Sequence, residues 1–358
     1  MMKNSFQYFC NYTIGPAPYE DVASVCTVYG SKILVIGGQK ALAAAAERIE
    51  ASLAGSELTI AATEIFGHEC TYARIKELAE LARKLNVDMI FGVGGGKALD
   101  TAKGAAYEAG LPIFTFPTIA STCAATTALS VVYKENGDFD SLYYFNRPAR
   151  HSFIDLTIIA NAPDIYLQAG MGDTMGKYFE CHFSSRGIKL PHKSALARYI
   201  SNMCYFPLLE YGEQALLDCR QHKVSEALEE AVLANIISTS LVSITVEDCY
   251  NGAIAHSTYY ALVLLPGFEE NNLHGNVVAY GVLVQLAIDG KLEEAAQLKA
   301  FLQKLDIRTT LKEMGVELER SALKKVLEAV VSGPDMEVIP YPVDEDMVYD
   351  AMAAIEKL

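Results

Sequence analysis

The chain is poor in basic residues. Lys and Arg number 29 against 44 Asp and Glu, a formal net charge of −15. That excludes a nucleic-acid binder with a broad basic face, though not a small anion held in a local basic pocket. The N-terminal stretch MMKNSFQYFCNYTIG holds no apolar run behind a basic segment and does not read as a signal peptide. No apolar run reaches membrane-spanning length. The longest, near Ala231–Val246, is interrupted by Asn235, Ser238, Thr239 and Ser240 and reads as a buried helix. Cys-x-x-Cys is absent. The eight cysteines (10, 26, 70, 123, 181, 204, 219 and 249) stand singly, which predicts a reduced, cytoplasmic protein without a zinc knuckle or a disulfide framework. There is no internal repeat and no low-complexity tract.

Hydrophobic residues make up 51% of the 358 and charged residues 20%, enough apolar content for a large core. The length suits two domains of roughly 150–200 residues. In the first part, apolar runs alternate with helical patterns. Lys32–Ile36, Leu58–Ala62, Asp88–Val93 and Pro112–Phe116 read as strands. Helices are expected from about Lys40 to Leu53, through Ile75, Leu78, Ala79, Ala82 and Leu85, and from Lys97 to about Ala109. That alternation predicts βαβ units and a mostly parallel sheet with its ligand at the carboxyl ends of the strands. Leu129–Tyr133 and Leu142–Phe145, joined across Asn136-Gly137, predict a β-hairpin. From about Asn161-Ala162-Pro163 onward almost everything reads as helix. The expected division is an α/β domain over 1–160 and an all-α domain over 161–358.

The segment GVGGGKALDTAKG (92–104) joins a strand end to a helix start through Gly94, Gly95 and Gly96. Glycines there let backbone N–H groups approach a diphosphate at a helix N-terminus. It is neither G-x-G-x-x-G nor a P-loop, and an unliganded glycine-rich turn fits the three residues equally well. Asp100 and Lys103 fall one turn apart, and a solvated Lys103 is the plain reading. The following PTIASTCAATTALSVVY (117–133) is rich in Ser and Thr hydroxyls that can serve a phosphate or a nicotinamide amide.

Four motifs in register, GVGGGKALDTAK, PTIASTCAATTALSVVY, AGMGDTMGKYFEC and LHGNVVAYGVLVQL, resemble the glycerol dehydrogenase branch of the iron-containing (group III) alcohol dehydrogenases. The match runs over nearly the whole chain, and its motifs are closest to the hydroxycarboxylate dehydrogenases of that family. The resemblance implies an N-terminal dinucleotide-binding α/β domain plus a helical C-terminal domain, an architecture shared with dehydroquinate synthase. It implies that Gly94, Gly95, Gly96 and Lys97 contact the coenzyme diphosphate and that Asp100, Thr118 and Thr122 lie around the nicotinamide. Thr127, Leu129 and Tyr133 would lie on the same side.

The family's metal ligands fall on Asp173, His256 and His274, which the resemblance makes the catalytic centre. A carboxylate and two imidazoles give Zn²⁺ three ligands and leave a fourth position for substrate oxygen. The iron-using members carry a histidine one turn after the Asp. Here that residue is Lys177, which favours zinc over iron and leaves the lysine to attract a substrate carboxylate or pair with an acid. Two further departures bear on specificity. Cys123 stands where glycerol dehydrogenases place an Asp that binds a substrate hydroxyl. Cysteine is a poor acceptor, so the change points toward a 2-oxo or 2-hydroxy carboxylate; the bland alternative is packing. Gly37-Gly38-Gln39-Lys40 lacks the Asp that binds the adenosine ribose in NAD-preferring members. Lys40 is then a candidate partner for a 2′-phosphate, so NADP(H) is expected to be accepted beside NAD(H).

The leading expectation is an NAD(P)(H) oxidoreductase of small 2-oxo or 2-hydroxy carboxylates. The alternative is a glycerol, polyol or diol dehydrogenase. A dehydroquinate synthase-like lyase is remote, because its phosphate-binding residues are absent. The expected partners are a small-molecule substrate and further copies of the chain, with neither nucleic acid nor membrane.

Overall fold

The computed structural model describes residues 9–358. The N-terminal stretch read above as lacking a signal segment lies mostly outside the described residues. The chain forms two compact units. One holds the described residues through Asp164 together with Leu217–Val232. The other holds Ile165–Leu216 and Leu233–Leu358. The expected boundary at 160/161 therefore misses one segment, Leu217–Val232, the end of one helix and the start of the next, which packs with the first unit.

The first unit is built on a six-stranded, wholly parallel sheet, ordered β1-β8-β5-β4-β2-β3. The strands are β1 Asn11–Gly15, β2 Lys32–Gly37, β3 Thr59–Ile65, β4 Met89–Gly94, β5 Ile113–Pro117 and β8 His151–Asp155. Side-chain alternation divides each central strand between two cores. Ile33 and Val35 of β2 and Phe91 and Val93 of β4 join Phe114, Phe116 and Phe153 under helix α1 (Gln39–Leu53), which contributes Ala45 and Ile49. Leu34, Ile36 and Ile90 face the other way. They pack on Leu78 and Ala82 of α2 (Tyr72–Leu85) and on Ala102 and Ala105 of α3 (Gly96–Ala109). Helices on both faces explain why β4 and β5 are buried throughout and, Thr115 apart, apolar.

The chain runs from β2 outward to β3, then returns to place β4 on the other side of β2. The carboxyl ends of β2 and β4 are therefore a topological switch point, where doubly wound sheets bind ligands. The Gly38 N–H donates to the Val93 carbonyl at 3.3 Å across this point. Strands β1 and β8 were not expected. The five-residue β1 is half exposed at the sheet edge, and the five-residue β8 is too short to show periodicity.

The predicted hairpin forms from β6 (Leu129–Tyr133) and β7 (Phe139–Tyr144), paired antiparallel. Gly137 takes φ +90° in its turn. Helix α3 holds this hairpin from below, and here the reading of Lys103 is corrected. Lys103 is 1% exposed and Asp100 6%. The Lys103 ammonium pairs with Asp100 Oδ1 at 2.8 Å and donates to the Leu129 carbonyl at 2.5 Å and Thr127 Oγ1 at 3.2 Å. Asp100 Oδ2 accepts the Val131 N–H at 3.1 Å. The two charges satisfy one another inside the unit, the condition under which a buried pair is tolerated.

The second unit contains no strand among the described residues. Its relevant helices are α4 (Asp164–Ser184), α5 (His192–Ile200), α6 (Ile254–Leu262), α7 (His274–Ile288) and α8 (Leu292–Lys304). The apolar run read as too short for a membrane span lies in a 20-residue helix, Glu226–Thr245, long and apolar enough to cross one by length and composition. Most of it is buried within the protein. All eight cysteines are free thiols.

Candidate functional site

In the first unit the site grows from the glycine turn. β4 ends on Gly94 at φ +146°, and Gly95 caps α3 with no side-chain hydrogen bond. A Cβ on Gly94 would lie 2.9 Å from the Ala98 Cβ, and one on Gly95 would lie 2.6 Å from the Ile119 Cδ1. The first helical bond is Leu99 N–H to the Gly95 carbonyl. The N–H groups ahead of it are therefore left for an anion. Thr118 is buried beside the turn, its N–H donating to the Gly94 carbonyl at 3.1 Å. Thr122 Oγ1 lies 3.3 Å from where a Gly96 Cβ would be.

The other expected coenzyme residues sit differently. The Lys97 ammonium is paired with Glu69 at 2.5 Å and lies 5.2 Å from the Tyr133 ring centre, so its charge is already engaged. Asp100, Thr127 and Leu129 meet at Lys103, under the hairpin. Lys40 is exposed in the first turn of α1, directly after the switch-point glycines. Cys123 is half-buried in the loop after β5, its carbonyl accepting from the Thr126 N–H at 3.0 Å.

In the second unit three helices bring Asp173 (α4), His256 (α6) and His274 (α7) together. Their candidate ligand atoms all lie within 4.8 Å of one another. Glycines make the approach possible. A Cβ on Gly275 would stand 1.7 Å from the Ala169 carbonyl oxygen, and one on Gly172 would stand 2.4 Å from that of Gly275. One on Gly281 would meet the Ala255 oxygen at 2.5 Å. The ligand-bearing helices thus pack backbone against backbone.

Asp173 Oδ1 is buried with no hydrogen-bond partner, although His274 Nε2 lies 3.3 Å away and His256 Nε2 3.6 Å. An orphaned carboxylate oxygen is costly. Three donors bonded to one tetrahedral ion at about 2.0–2.1 Å stand roughly 3.4 Å apart. The spacing and the misaligned N–H directions fit such an ion and not a hydrogen-bonded cluster. The side chain of His274 is 36% exposed against 9–10% for the other two, so the cluster is open on its side.

Glu180, two helical turns after Asp173, is the residue the sequence reading missed. It is fully buried. Its Oε2 meets His256 Nδ1 at 2.5 Å, and its Oε1 accepts the N–H groups of Ala253 and His256 at 2.8 Å each. Glu180 thereby fixes the ring so that Nε2 faces Asp173, as carboxylates do behind ligating histidines. The available signal was the Asp-x₆-Glu spacing, which puts both carboxylates on one helix face. Burial pushes both carboxyls up, but the neighbouring imidazoles prevail and hold Asp173 well below and Glu180 below the usual range. Burial lowers His256, yet Glu180 and Asp173 together raise it to about 10. Lys177 is buried and donates to the Asn251 carbonyl and Oδ1 at 3.1 Å each. Neither expected role, a substrate carboxylate nor an acid partner, is needed to satisfy it.

If Glu180 orients His256, Glu180→Gln should weaken zinc binding by about 10–100-fold in a chelator competition while the protein stays folded. Unchanged affinity would reduce Glu180 to a packing residue.

Residues 11–155 match the family model described as iron-containing alcohol dehydrogenase. The glycerol dehydrogenase of Escherichia coli O6:H1 is 33% identical over 335 residues, 90% of this chain and 89% of that protein. The chain belongs to the iron-containing alcohol dehydrogenase family. It is a glycerol dehydrogenase-like oxidoreductase acting on CH–OH groups, in a family that is NAD(P)-dependent and metal-binding. Hydroxycarboxylate dehydrogenase A of Escherichia coli K12 is 34% identical, covering 82% of this chain and 80% of its own. Among solved structures, glycerol dehydrogenase from Schizosaccharomyces pombe superposes with a TM-score of 0.88 at 27% identity, covering 100% of this chain and 91% of its own.

Proposed function

We propose that this family member oxidises a small polyol or vicinal diol of glycerol size, and reduces the matching hydroxyketone, at a zinc ion held by Asp173, His256 and His274. The observation that carries the metal is the orphaned Asp173 Oδ1 between two Nε2 atoms. The polyol follows from similarity to glycerol dehydrogenases that spans nine-tenths of the chain. When bound, zinc supplies Lewis acidity toward a hydroxyl or carbonyl oxygen, and the nicotinamide supplies hydride exchange. The chain does the positioning. The N–H groups at Gly95–Gly96 take the coenzyme diphosphate, with the Thr118 and Thr122 hydroxyls beside them. Glu180 accepts the His256 Nδ1–H, so that Nε2, once its proton has left, is the atom presented to the metal. Lys177, spent on Asn251, occupies the position where iron-using members have their fourth ligand, which leaves zinc the better fit.

The 2-oxo acid reading loses ground to the polyol but keeps one observation, Cys123 in place of a carboxylate. Coenzyme oxidation against dihydroxyacetone, hydroxyacetone and a panel of 2-oxo acids, with added Zn²⁺, separates the two. The polyol reading expects the hydroxyketones to show the higher kcat/KM. It also expects Cys123→Asp to raise glycerol oxidation by about tenfold, the worth of one added hydrogen bond to a charged acceptor. Turnover confined to the 2-oxo acids would reverse the assignment.

Lys40 adds a coenzyme prediction. Exposed beside the switch-point glycines with no acid in the first turn of α1, it suits a 2′-phosphate. Lys40→Ala should raise the KM for NADPH by about tenfold, on the order of 1 kcal/mol for one surface charge pair, and leave that for NADH unchanged. An NADPH KM unmoved by the substitution would return Lys40 to a solvated helix residue.

A further inference from the structure

A second polar cavity lies within the helical unit, about 190 Å³ in volume, between the end of α4, α5, α7 and the start of α8. On α4 its wall residue His182 falls nine positions after Asp173, half a turn around the helix from the metal face. On α7 its floor residue Gln285 is eleven residues past His274, about 16 Å along the axis. The cavity is therefore separate from the metal centre, although two of the ligand-bearing helices build it.

Two polar atoms in this cavity lack partners. Gln285 is 2% exposed, and its Nε2 donates to the Phe179 carbonyl at 3.2 Å, but its Oε1 accepts nothing. His182 Nε2 is equally shielded and unpartnered. The charges do not cancel. Asp289 is taken by a two-pronged pair with Arg186 at 2.7 and 2.6 Å and by Lys291 at 3.4 Å. Glu294 is taken by Lys291 at 3.5 Å. Arg198 remains, half-buried, within salt-bridge distance of no carboxylate among the described residues and with only a long contact to the Ser185 carbonyl at 3.5 Å. Burial first, then the charges of Arg198 and Lys291, hold the His182 imidazole below its usual pKa. The cavity wall thus carries one more cation than it has carboxylates, in a chain of net charge −15.

We propose that this cavity binds an oxyanion carrying an O–H of its own, of which inorganic phosphate in its protonated forms is the simplest. Arg198 supplies the charge-assisted donors. The orphaned Gln285 Oε1 accepts the ligand's hydroxyl, a contact that a fully ionised oxyanion cannot make. Tyr178 and Phe183 supply an apolar part of the cavity wall. The cavity is thereby built to distinguish phosphate from sulfate, two ions of nearly equal size that differ at neutral pH in possessing a proton. An anion seated there touches both α4 and α7 at their ends remote from Asp173 and His274, the position of an effector rather than a substrate.

Calorimetric titration of the whole protein with sodium phosphate and with sodium sulfate, at matched ionic strength and neutral pH, tests the assignment. Phosphate is expected to bind at least tenfold more tightly than sulfate. Arg198→Gln should weaken phosphate binding by tenfold or more, and Gln285→Leu should bring the two ions to equal affinity. Equal affinities in the unaltered protein would overturn the proposal without recourse to any variant. So would phosphate binding that survives Arg198→Gln unchanged, since the ion would then be held elsewhere, as at the Gly94–Gly96 turn.

Discussion

Asp173→Ala should yield a folded protein that keeps no metal and has lost about three to four orders of magnitude in kcat/KM, the several kcal/mol that a Lewis acid contributes at roughly 1.4 kcal/mol per decade. A loss of stability is expected as well. Asp173 Oδ1 makes no hydrogen bond that the substitution would break, but the imidazoles of His274 and His256 outweigh its burial and hold its carboxyl well below the usual range, so the ionised group stabilises the fold at neutral pH. The metal-free variant should therefore melt below the metal-free parent. Added Zn²⁺ should widen the gap, because only the parent gains from binding. Elemental analysis of the purified variant and paired thermal melts with and without zinc give the two readouts. A variant that retains metal, or turnover within a few-fold of the parent, would sink the three-residue centre.

The sequence made some of this legible and left some of it hidden, for reasons that lie in particular residues. The parallel sheet was readable because Lys32–Ile36 and Asp88–Val93 are continuous apolar runs followed by glycines, and only a strand buried on both faces has that composition. The hairpin was readable from Asn136-Gly137. Strands β1 and β8 were not, since five residues carry no readable period, whether half exposed as in β1 or wholly buried as in β8. Lys103 was misjudged because a lysine on a helix is exposed unless a partner lies inside. Its partners, Asp100, Thr127 and the Leu129 carbonyl, come from segments up to 26 residues apart. The metal centre was reachable only through resemblance, because Asp173 and His256 are 83 positions apart and nothing local marks either. Glu180 was hidden one step further, since it touches His256 and not the metal position. The resemblance did place glycines beside two of the three ligands without saying why they are there.

The geometry supplies that reason, and from it comes the largest expected effect on stability. Gly275→Ala would put a methyl group 1.7 Å from the Ala169 carbonyl oxygen, 2.6 Å from its carbon and 3.0 Å from the Asp173 nitrogen. All three are backbone atoms of α4, so no rotamer change relieves the overlap. A Cβ on Gly172 would in return lie 2.4 Å from the Gly275 carbonyl oxygen, so the two backbones are close from both sides. Helices α4 and α7 must instead separate by roughly 1.5 Å to reach van der Waals distance, opening a packed interface on both sides. We expect loss of more than about 4 kcal/mol, the range reserved for severe overpacking, seen as insoluble expression or an early urea transition. Any folded fraction should also bind zinc poorly, because the separation carries His274 away from Asp173. Asn276→Ala, one residue further along α7, adds no atom to the interface and serves as the control. If Gly275→Ala matched that control in both unfolding midpoint and metal content, the backbone-to-backbone approach could not be what brings the carboxylate and the second imidazole together. The glycines of the His-Gly and Met-Gly-Asp motifs would then need another explanation.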